Sequence, residues 1–404
     1  MPEYPLDGVK VVDFTWAWAG PYGTLLLALL GAEVIKVESL RRLDHTRLRS
    51  LMNGPTLGGP DQSTVFNDLN LNKLSLTLDL KQPKAIEIVK RLVKLADVVT
   101  ENMRPGVMDR LGLSYEVLRE IRPDIIMLSS SALGGTGPER NYVGYAPTFA
   151  AMGGIAYVSG DPGRLPSALS GAIDTRVATT SAFAVLAALY YRQRTGQGQH
   201  IDLSSSEAIS CLAGDILMDY TMNRRVRERN GNHDESMVPH NCYPCRGEDR
   251  WVTIAVSTEE NWQAFCKALG SPRWTKDHRF TNALNRRHNQ DELDRLVSEW
   301  TMQHTDYEVT EILQRAGVAA APSLSGEMVS QDPHSKDRGF ITEVEHPEIR
   351  KRLVVGPPWR LSSTPAQVRR PGPLLGEHNQ YVLGDLLCMS QSEIEQLIKE
   401  RVVY

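Results

Sequence analysis

Strand-like and helix-like patterns alternate through the first 135 residues of this 404-residue chain, and no other feature constrains its fold as tightly. Residues 9–15 read as a buried strand, and 21–30 as a helix with proline in its first turn, where no intrahelical N–H is needed. Gly31 suits the stop of that helix, and 32–38 reads as a second strand. Residues 74–80, 97–101 and 124–130 supply three more strands, with an amphipathic helix at 83–95. Such alternation predicts an α/β protein with an open parallel sheet and right-handed crossovers. Ligands of these sheets sit at the carboxyl ends of the strands. The loops after Thr15, Glu38, Glu101 and Ser131 are therefore where chemistry is expected.

Residues 15–32 carry no charge over 18 positions, the lower limit for a membrane span. Gly20, Pro21 and Gly23 interrupt the stretch, and Asp7, Lys10 and Asp13 stand where a signal peptide would have its basic start. It reads as a buried strand-to-helix unit, with no membrane partner. Composition agrees: 41% hydrophobic and 23% charged residues are average for a soluble protein. A net charge of -4 argues against a surface for nucleic acid. Five cysteines, an odd number, argue against a secreted disulfide framework. A cytoplasmic enzyme is the expectation.

Beyond this region an apolar helix is expected at 175–194, ending at Thr195-Gly196-Gln197-Gly198, with a strand at 200–203. Residues 222–241 turn polar and read as a linker. Residues 242–318 mix short strands, such as 251–256, with polar helices, and read as a smaller α+β domain. The division expected is 1–221 for a large domain, 222–330 for linker and small domain, and 331–404 for a segment returning to the large domain. The proline-rich stretch 322–373 reads as extended chain, and 390–402 as an amphipathic helix.

Gly20-Pro21-Tyr22-Gly23 stands where a dinucleotide-binding protein has its phosphate loop, yet it is not G-x-G-x-x-G and lacks the acid that would hold a ribose. A helix start there can still bind an anion or a carbonyl through free N–H groups. Cys242-Tyr-Pro-Cys245, with His233 and His240 upstream, has the makings of a metal knuckle or redox pair, but no second such pair exists and the spacing is not a common zinc pattern. Two small side chains entering a strand explain it as well; no metal is expected. Asp174, in Gly171-Ala-Ile-Asp-Thr, precedes the apolar helix, where aspartate ordinarily serves as an N-cap. The same placement would keep it ionised and able to attack an electrophilic carbonyl. The apolar flank at 178–189 would then keep water from a hydrolysable intermediate. Asn102-Met-Arg-Pro-Gly106 and Arg110 follow the fourth strand, where arginine clamps phosphate or simply faces solvent. His200 reads as an edge residue of its strand.

Taken together, the motifs resemble one family. Pro5-Leu-Asp-Gly-Val-Lys-Val-Val-Asp-Phe-Thr, Ala19-Gly-Pro21, Leu30-Gly-Ala-Glu-Val-Ile-Lys-Val-Glu38, Ala96-Asp-Val-Val-Thr-Glu-Asn102, Gly134-Gly-Thr-Gly-Pro138 and Thr195-Gly-Gln-Gly-Gln199 look like those of class III CoA-transferases. The resemblance is near-continuous through the first half and weaker between Met222 and Pro365. It implies a Rossmann-like open sheet in a discontinuous large domain, a smaller domain between its parts, and two interlocked ring-like subunits, as a homodimer or with a related chain. It implies Asp174 as nucleophile, forming an anhydride and then an aspartyl-CoA thioester. Coenzyme A enters as an acyl-CoA substrate, succinyl-CoA among the donors, with a carboxylic acid as acceptor and no tightly bound cofactor. Ala17, Trp18, Ala19, Arg41, Asn102, Met103, Arg104 and Arg110 match positions lining the CoA, while Asp44 and Arg47 keep a family spacing. Trp16, Tyr142, Tyr145 and His233 are expected around the acyl group, with Asn230-Gly-Asn-His233 in the place of a glycine-rich loop.

The same fold includes 2-methylacyl-CoA racemases, which need acid and base groups on both faces of the α-carbon and carry a Gly-His-Asp sequence. Here Gly144-Tyr145-Ala146 replaces it, and tyrosine, with a reference pKa of about 10, is a poor base near neutrality. Transferase is therefore preferred to racemase. A non-catalytic subunit beside an active relative is the third reading, opposed by the presence of Asp174.

Overall fold

The computed structural model describes residues 3–48, 59–167 and 169–404. Six parallel strands form the main sheet: β1 (Lys10–Asp13), β2 (Glu33–Glu38), β3 (Leu74–Thr77), β4 (Val98–Glu101), β5 (Ile126–Ser131) and β6 (His200–Ser204). Their spatial order is β3-β2-β1-β4-β5-β6, so strand order reverses between β1 and β4, where a doubly wound sheet opens its ligand crevice. The strands match the sequence reading with ends within three residues: β3 stops three residues early, while β5 and β6 run one residue longer.

Adjacent residues in these strands face opposite cores, as the pleat dictates. Val11, Val34 and Val98 join one core with α1 (Ala19–Leu29) and the long helix α5 (Ser170–Thr195). Val12, Ile35 and Val99 join the other, with α2 (Pro83–Val93) and Val382, Leu383, Ile394, Leu397, Val402 and Val403 from the far end of the chain. Between α2 and α5 lie α3 (Tyr115–Ile121) and α4 (Ala146–Met152). After β6 comes α6 (Gly214–Asn223), which runs into the stretch expected to be linker.

Two compact units divide the chain. Met1–Ala156, Ala168–Val226 and Pro333–Tyr404 make the larger, and Tyr157–Ser167 with Arg227–Asp332 the smaller. The smaller holds an antiparallel sheet of β7 (His240–Pro244), β8 (Trp251–Ala255) and β9 (Ala319–Pro322), covered by α7 (Glu259–Ala268), α8 (Gln290–Thr301) and α9 (Asp306–Arg315). In the larger, 341–355 is a hairpin, β10 (Ile341–His346) against β11 (Arg350–Val355), where extended chain was expected. Charges on both strands leave no apolar stripe to announce it. Helix α10 (Gln391–Lys399) is the expected amphipathic helix and opens with a capping box at Ser390 and Glu393.

Among the described residues, helix α5 is the one long and apolar enough to cross a membrane, with a mean hydropathy of 1.3 over 18 residues. Val177, Ala182, Val185 and Ala188 nevertheless pack on the sheet core, so the helix is half of a buried layer. The uncharged stretch at 15–32 resolves into the loop after β1, α1 and the turn into β2, a strand-to-helix unit as expected.

Charged side chains sit under the first loop, where the sequence pattern showed only strand ends. Asp13 is fully buried and accepts hydrogen bonds from Thr15, Thr24 and Thr100, with Lys73 Nζ at 3.3 Å. Lys73 also donates to the Pro21 carbonyl and to Asn70. Lys36 donates to the Thr15 carbonyl and pairs with Asp44 at 3.3 Å. Burial pulls the Lys73 ammonium down to about 8, against the pull of Asp13, while the neighbouring lysines and hydroxyls outweigh burial to hold Asp13 below the usual carboxylate range. Both are charged at neutral pH. Removing one partner of such a pair leaves a bare buried charge. Lys73→Met is expected to lower the unfolding free energy by about 3–5 kcal/mol, read from the shift of the urea midpoint. Adding Asp13→Asn to that variant is expected to return part of the loss, and additive losses would contradict the pairing.

Candidate active site

The loop joining β1 to α1 is held open by its neighbours. Ala17 adopts a left-handed backbone with φ 71°, unusual without glycine, and its N–H reaches Asp44 at 3.2 Å. Asn102 bridges the backbone on both sides of Trp16, accepting from its N–H at 2.9 Å and donating to its carbonyl at 2.8 Å. Gly20 lies so close to this support that a Cβ would stand 2.5 Å from that of Thr15, and the position takes glycine for that reason. Helix α1 starts at Ala19 with no side-chain cap, leaving its first turn a place for an electronegative atom.

Asp174 is not the N-cap expected from the sequence. The helix begins one turn earlier, at Ser170, and Asp174 stands half-buried in its second turn. Since dipole effects fade beyond the first turn, surroundings rather than the helix start set its charge. Those surroundings follow from packing. Gly23 of α1 fits against the Ala178 carbonyl and Ser181, and Leu27 against the same pocket wall as Ala182 and Val185. The two helices therefore run in one direction, and that register turns the face of α5 that carries Asp174 toward α1. The expected dry flank is one face only: Val177, Ala178 and Val185 are buried, whereas Phe183 is 71% exposed.

A small pocket continues from this seam, lined by Thr15, Gly20, Thr24, Glu101, Ser130 and Ser181. Glu101 was read only as a strand end. It accepts the Met103 N–H at 2.7 Å and a hydrogen bond from Ser129, which reaches His200 at 3.0 Å. Burial pushes its carboxyl up to about 7, beyond what those hydrogen bonds restore. No spacing signal marks it, since only the closing of β5 beside β4 buries it.

The other expected site residues fall in three groups. Ala17, Trp18 and Ala19 form the loop and helix start; Met103, Arg104 and Arg110 follow β4, with both arginines exposed and Met103 packed partly on the core. Trp16 and Tyr145 are joined through His45, with ring centroids 6.1 and 6.3 Å apart, and Tyr142 lies exposed nearby in sequence. Other residues are already engaged. Asn102 spends its amide on the loop, Arg41 pairs with Asp79 at 2.9 Å and also donates to Tyr404, and Arg47 is fully buried against Glu38 and Asp61. His233 belongs to the smaller unit, where it pairs with Asp294 at 2.8 Å, the carboxylate that also accepts from Tyr243 and Asn241. Cys242 and Cys245 are free thiols on and just past β7, and burial pushes the Cys245 thiol up to about 11, far from a reactive thiolate. Among the described residues no group of three or more His, Cys, Asp or Glu is arranged to hold a metal. His200 lies on the edge strand β6, as expected, stacked on Tyr115.

A doubly wound sheet whose first loop lacks a dinucleotide fingerprint, with a carboxylate beside its first helix, is the frame of a class III CoA-transferase. The family profile described as CoA-transferase family III matches residues 6–379, and the chain belongs to that family. It is 35% identical to the succinyl-CoA–D-citramalate CoA-transferase of Chloroflexus aurantiacus, covering 100% of this chain and 99% of that one. It is 32% identical to the succinyl-CoA–L-malate CoA-transferase beta subunit of the same organism, covering 99% and 98%. The crystal structure of a CAIB/BAIF family protein from Brucella suis superposes with a TM-score of 0.84 at 32% identity, covering 95% of this chain and 99% of that one. The chain is a CoA-transferase, acting on CoA thioesters.

The Glu101 carboxyl gives a direct test of the pocket. Its folded value, about 7, lies above the ordinary 4.5, so the folded state loses stability as pH rises from about 4.5 through about 7. The loss amounts to about 3 kcal/mol once the group is ionised. Glu101→Gln is expected to remove that dependence: relative to wild type it should gain stability between pH 5 and pH 8. Thermal unfolding of both proteins across that range checks it, and parallel curves would contradict the burial.

Proposed function

We propose that this protein moves CoA from an acyl-CoA donor, succinyl-CoA among the candidates, to a carboxylic acid, with Asp174 as the covalent nucleophile. What supports this reading is that Asp174 lies on α5 one turn before Val177 and Ala178, on the side of that helix that Ala178 and Ser181 turn toward Gly23 of α1. The Asp174 carboxylate attacks the donor thioester carbonyl, giving a mixed anhydride and CoA thiolate. The thiolate attacks the aspartyl carbonyl, giving an aspartyl-CoA thioester and the free donor acid. The acceptor carboxylate attacks that thioester, forming a second anhydride and releasing thiolate again. Attack of thiolate on the acceptor carbonyl yields the new acyl-CoA and restores Asp174. No net proton is taken up, so no histidine partner is required. The N–H groups of Ala19 and Gly20 are suited to the oxyanions of these steps. Excluding water from the seam protects an intermediate that hydrolysis would waste.

In this reading the larger unit binds CoA and carries catalysis. Arg104 and Arg110, exposed after β4, supply charge for the phosphates, with Ala17 and Trp18 toward the nucleotide. Arg41 contributes what its pairing with Asp79 leaves free. Phe183, Tyr190, Leu217, Met218 and Met222 are exposed on α5 and α6, a patch that calls for a second subunit, a copy or a related chain. A monomer mass by light scattering would remove that part. Tyr145-Ala146 in place of an acid–base pair supports transfer rather than racemisation.

Asp174→Ala is expected to lower CoA exchange by about 10³-fold or more, as for loss of other nucleophiles, while CoA binding measured by calorimetry stays within a few-fold. Wild-type protein incubated with succinyl-CoA alone should show an Asp174-linked CoA adduct by mass spectrometry. Full turnover in the alanine variant, or α-carbon deuterium exchange without CoA transfer, would sink the assignment.

A further inference from the structure

Side chains, and not backbone ladders, hold the turn between β1 and α1. An irregular loop must satisfy its N–H and carbonyl groups outside regular structure. Asp13 accepts the Thr15 N–H at 2.8 Å, and Lys36 donates to the Thr15 carbonyl at 2.6 Å. Asn102 accepts the Trp16 N–H and donates to the Trp16 carbonyl, and Asp44 accepts the Ala17 N–H. Five successive backbone groups are thus taken by four side chains, which come from β1, β2, the chain after β2 and the chain after β4. The Trp18 carbonyl then accepts from the Tyr22 N–H, and α1 begins.

The conformation held in this way is an unfavourable one. Ala17, with φ 71°, lies in the left-handed region, which suits glycine and disfavours alanine. Such a backbone persists only where its surroundings over-determine it. Asp13, Lys36 and Asp44 are charged and buried, so they serve the ionic cluster as well as the loop. Asn102 is neutral and half-buried, and it makes two of the five contacts. Its own place is fixed from behind, because Glu101 accepts the Met103 N–H at 2.7 Å and closes the turn that carries it. It is also wedged against α1: a Cβ on Gly20 would stand 2.8 Å from the Asn102 amide nitrogen.

We infer that Asn102 is a positioning residue for the transfer: by holding both backbone groups of Trp16 it keeps Ala17 in its left-handed turn and aims the first N–H groups of α1, without binding CoA itself. This rests on the transfer reading above, in which those N–H groups meet the oxyanions. A carboxamide suits the task because it accepts and donates at once. Released at Trp16, the loop relaxes out of the left-handed region and the start of α1 loses its aim. A displacement of about 1 Å is enough to slow a reaction about 100-fold. A residue that contacted CoA directly would act on affinity instead.

Asn102→Ala is expected to lower kcat about 100-fold, with the Kd for CoA, measured by calorimetry, within a few-fold of wild type. In the free protein, hydrogen exchange at residues 15–19 should quicken while β1, β4 and β5 keep their protection. Asn102→Asp has the same shape, keeps the acceptor for the Trp16 N–H and loses the donor, so its kcat should fall between the two. Ala17→Gly added to Asn102→Ala should return about 5-fold of the lost kcat, since glycine adopts a left-handed backbone without steric cost. Unchanged kcat with weakened CoA binding would overturn the proposal and make Asn102 a CoA ligand. Loss of protection throughout the sheet would overturn it too, leaving a merely structural role, and so would a double variant no faster than Asn102→Ala. Wild type that transfers CoA to no acid would overturn the transfer reading instead; quickened exchange confined to 15–19 would then leave Asn102 as the holder of the loop alone.

Discussion

Everything at the working end of the sheet depends on buried charges being satisfied together. Asp13 ends β1, Lys36 lies in β2 and Lys73 just before β3, and none has appreciable contact with water. Desolvating them is costly, and their pairing with Asp44, three threonine hydroxyls and the carbonyls of Thr15 and Pro21 offsets that cost only in one arrangement. In that arrangement the loop after β1 stands where it must for α1 to begin alongside α5. The ionic cluster thus carries little stability of its own and a great deal of position. An apolar replacement could fold as well and leave the loop undefined.

The chemistry needs that definition because each intermediate of the proposed cycle is an activated acyl group that water would destroy. Helix α5 divides the labour by face. Val177, Ala178 and Val185 close the seam toward the sheet, while Phe183 and Tyr190 point away from it and stay exposed. A helix apolar all round is ordinarily either core or membrane span. This one belongs to the first kind, with an outer face that stays exposed.

Legibility in the sequence followed the physics of each element. The strands of the sheet were readable because buried parallel strands are short apolar runs bounded by turns, as in residues 9–15 and 32–38. Asp174 was singled out through resemblance, but its place in the helix was misjudged. An aspartate before an apolar run looks like a cap, whereas the helix here starts from Leu169 in a left-handed conformation, with no capping side chain. Lys36, Lys73 and Glu101 were invisible as buried groups, since burial of a charge depends on neighbours tens of residues away. Asn102 was expected beside the CoA, and its amide contacts are to the backbone of Trp16. The hairpin at 341–355 escaped notice because its alternating charges mimic an exposed connector.

The core beneath α2 has a further consequence, for the order in which the molecule can be made. Val12, Ile35 and Val99 share that core with Val382, Leu397, Val402 and Val403, and the edge strand β3 is tied to residues 402–404 through Asp79 and Thr77. A ribosome delivers the first group long before the second. While residues 140–380 are being synthesised, one face of the nascent sheet has helices but no finished cover. The apolar layer on that face is complete only once the residues near 400 have been added.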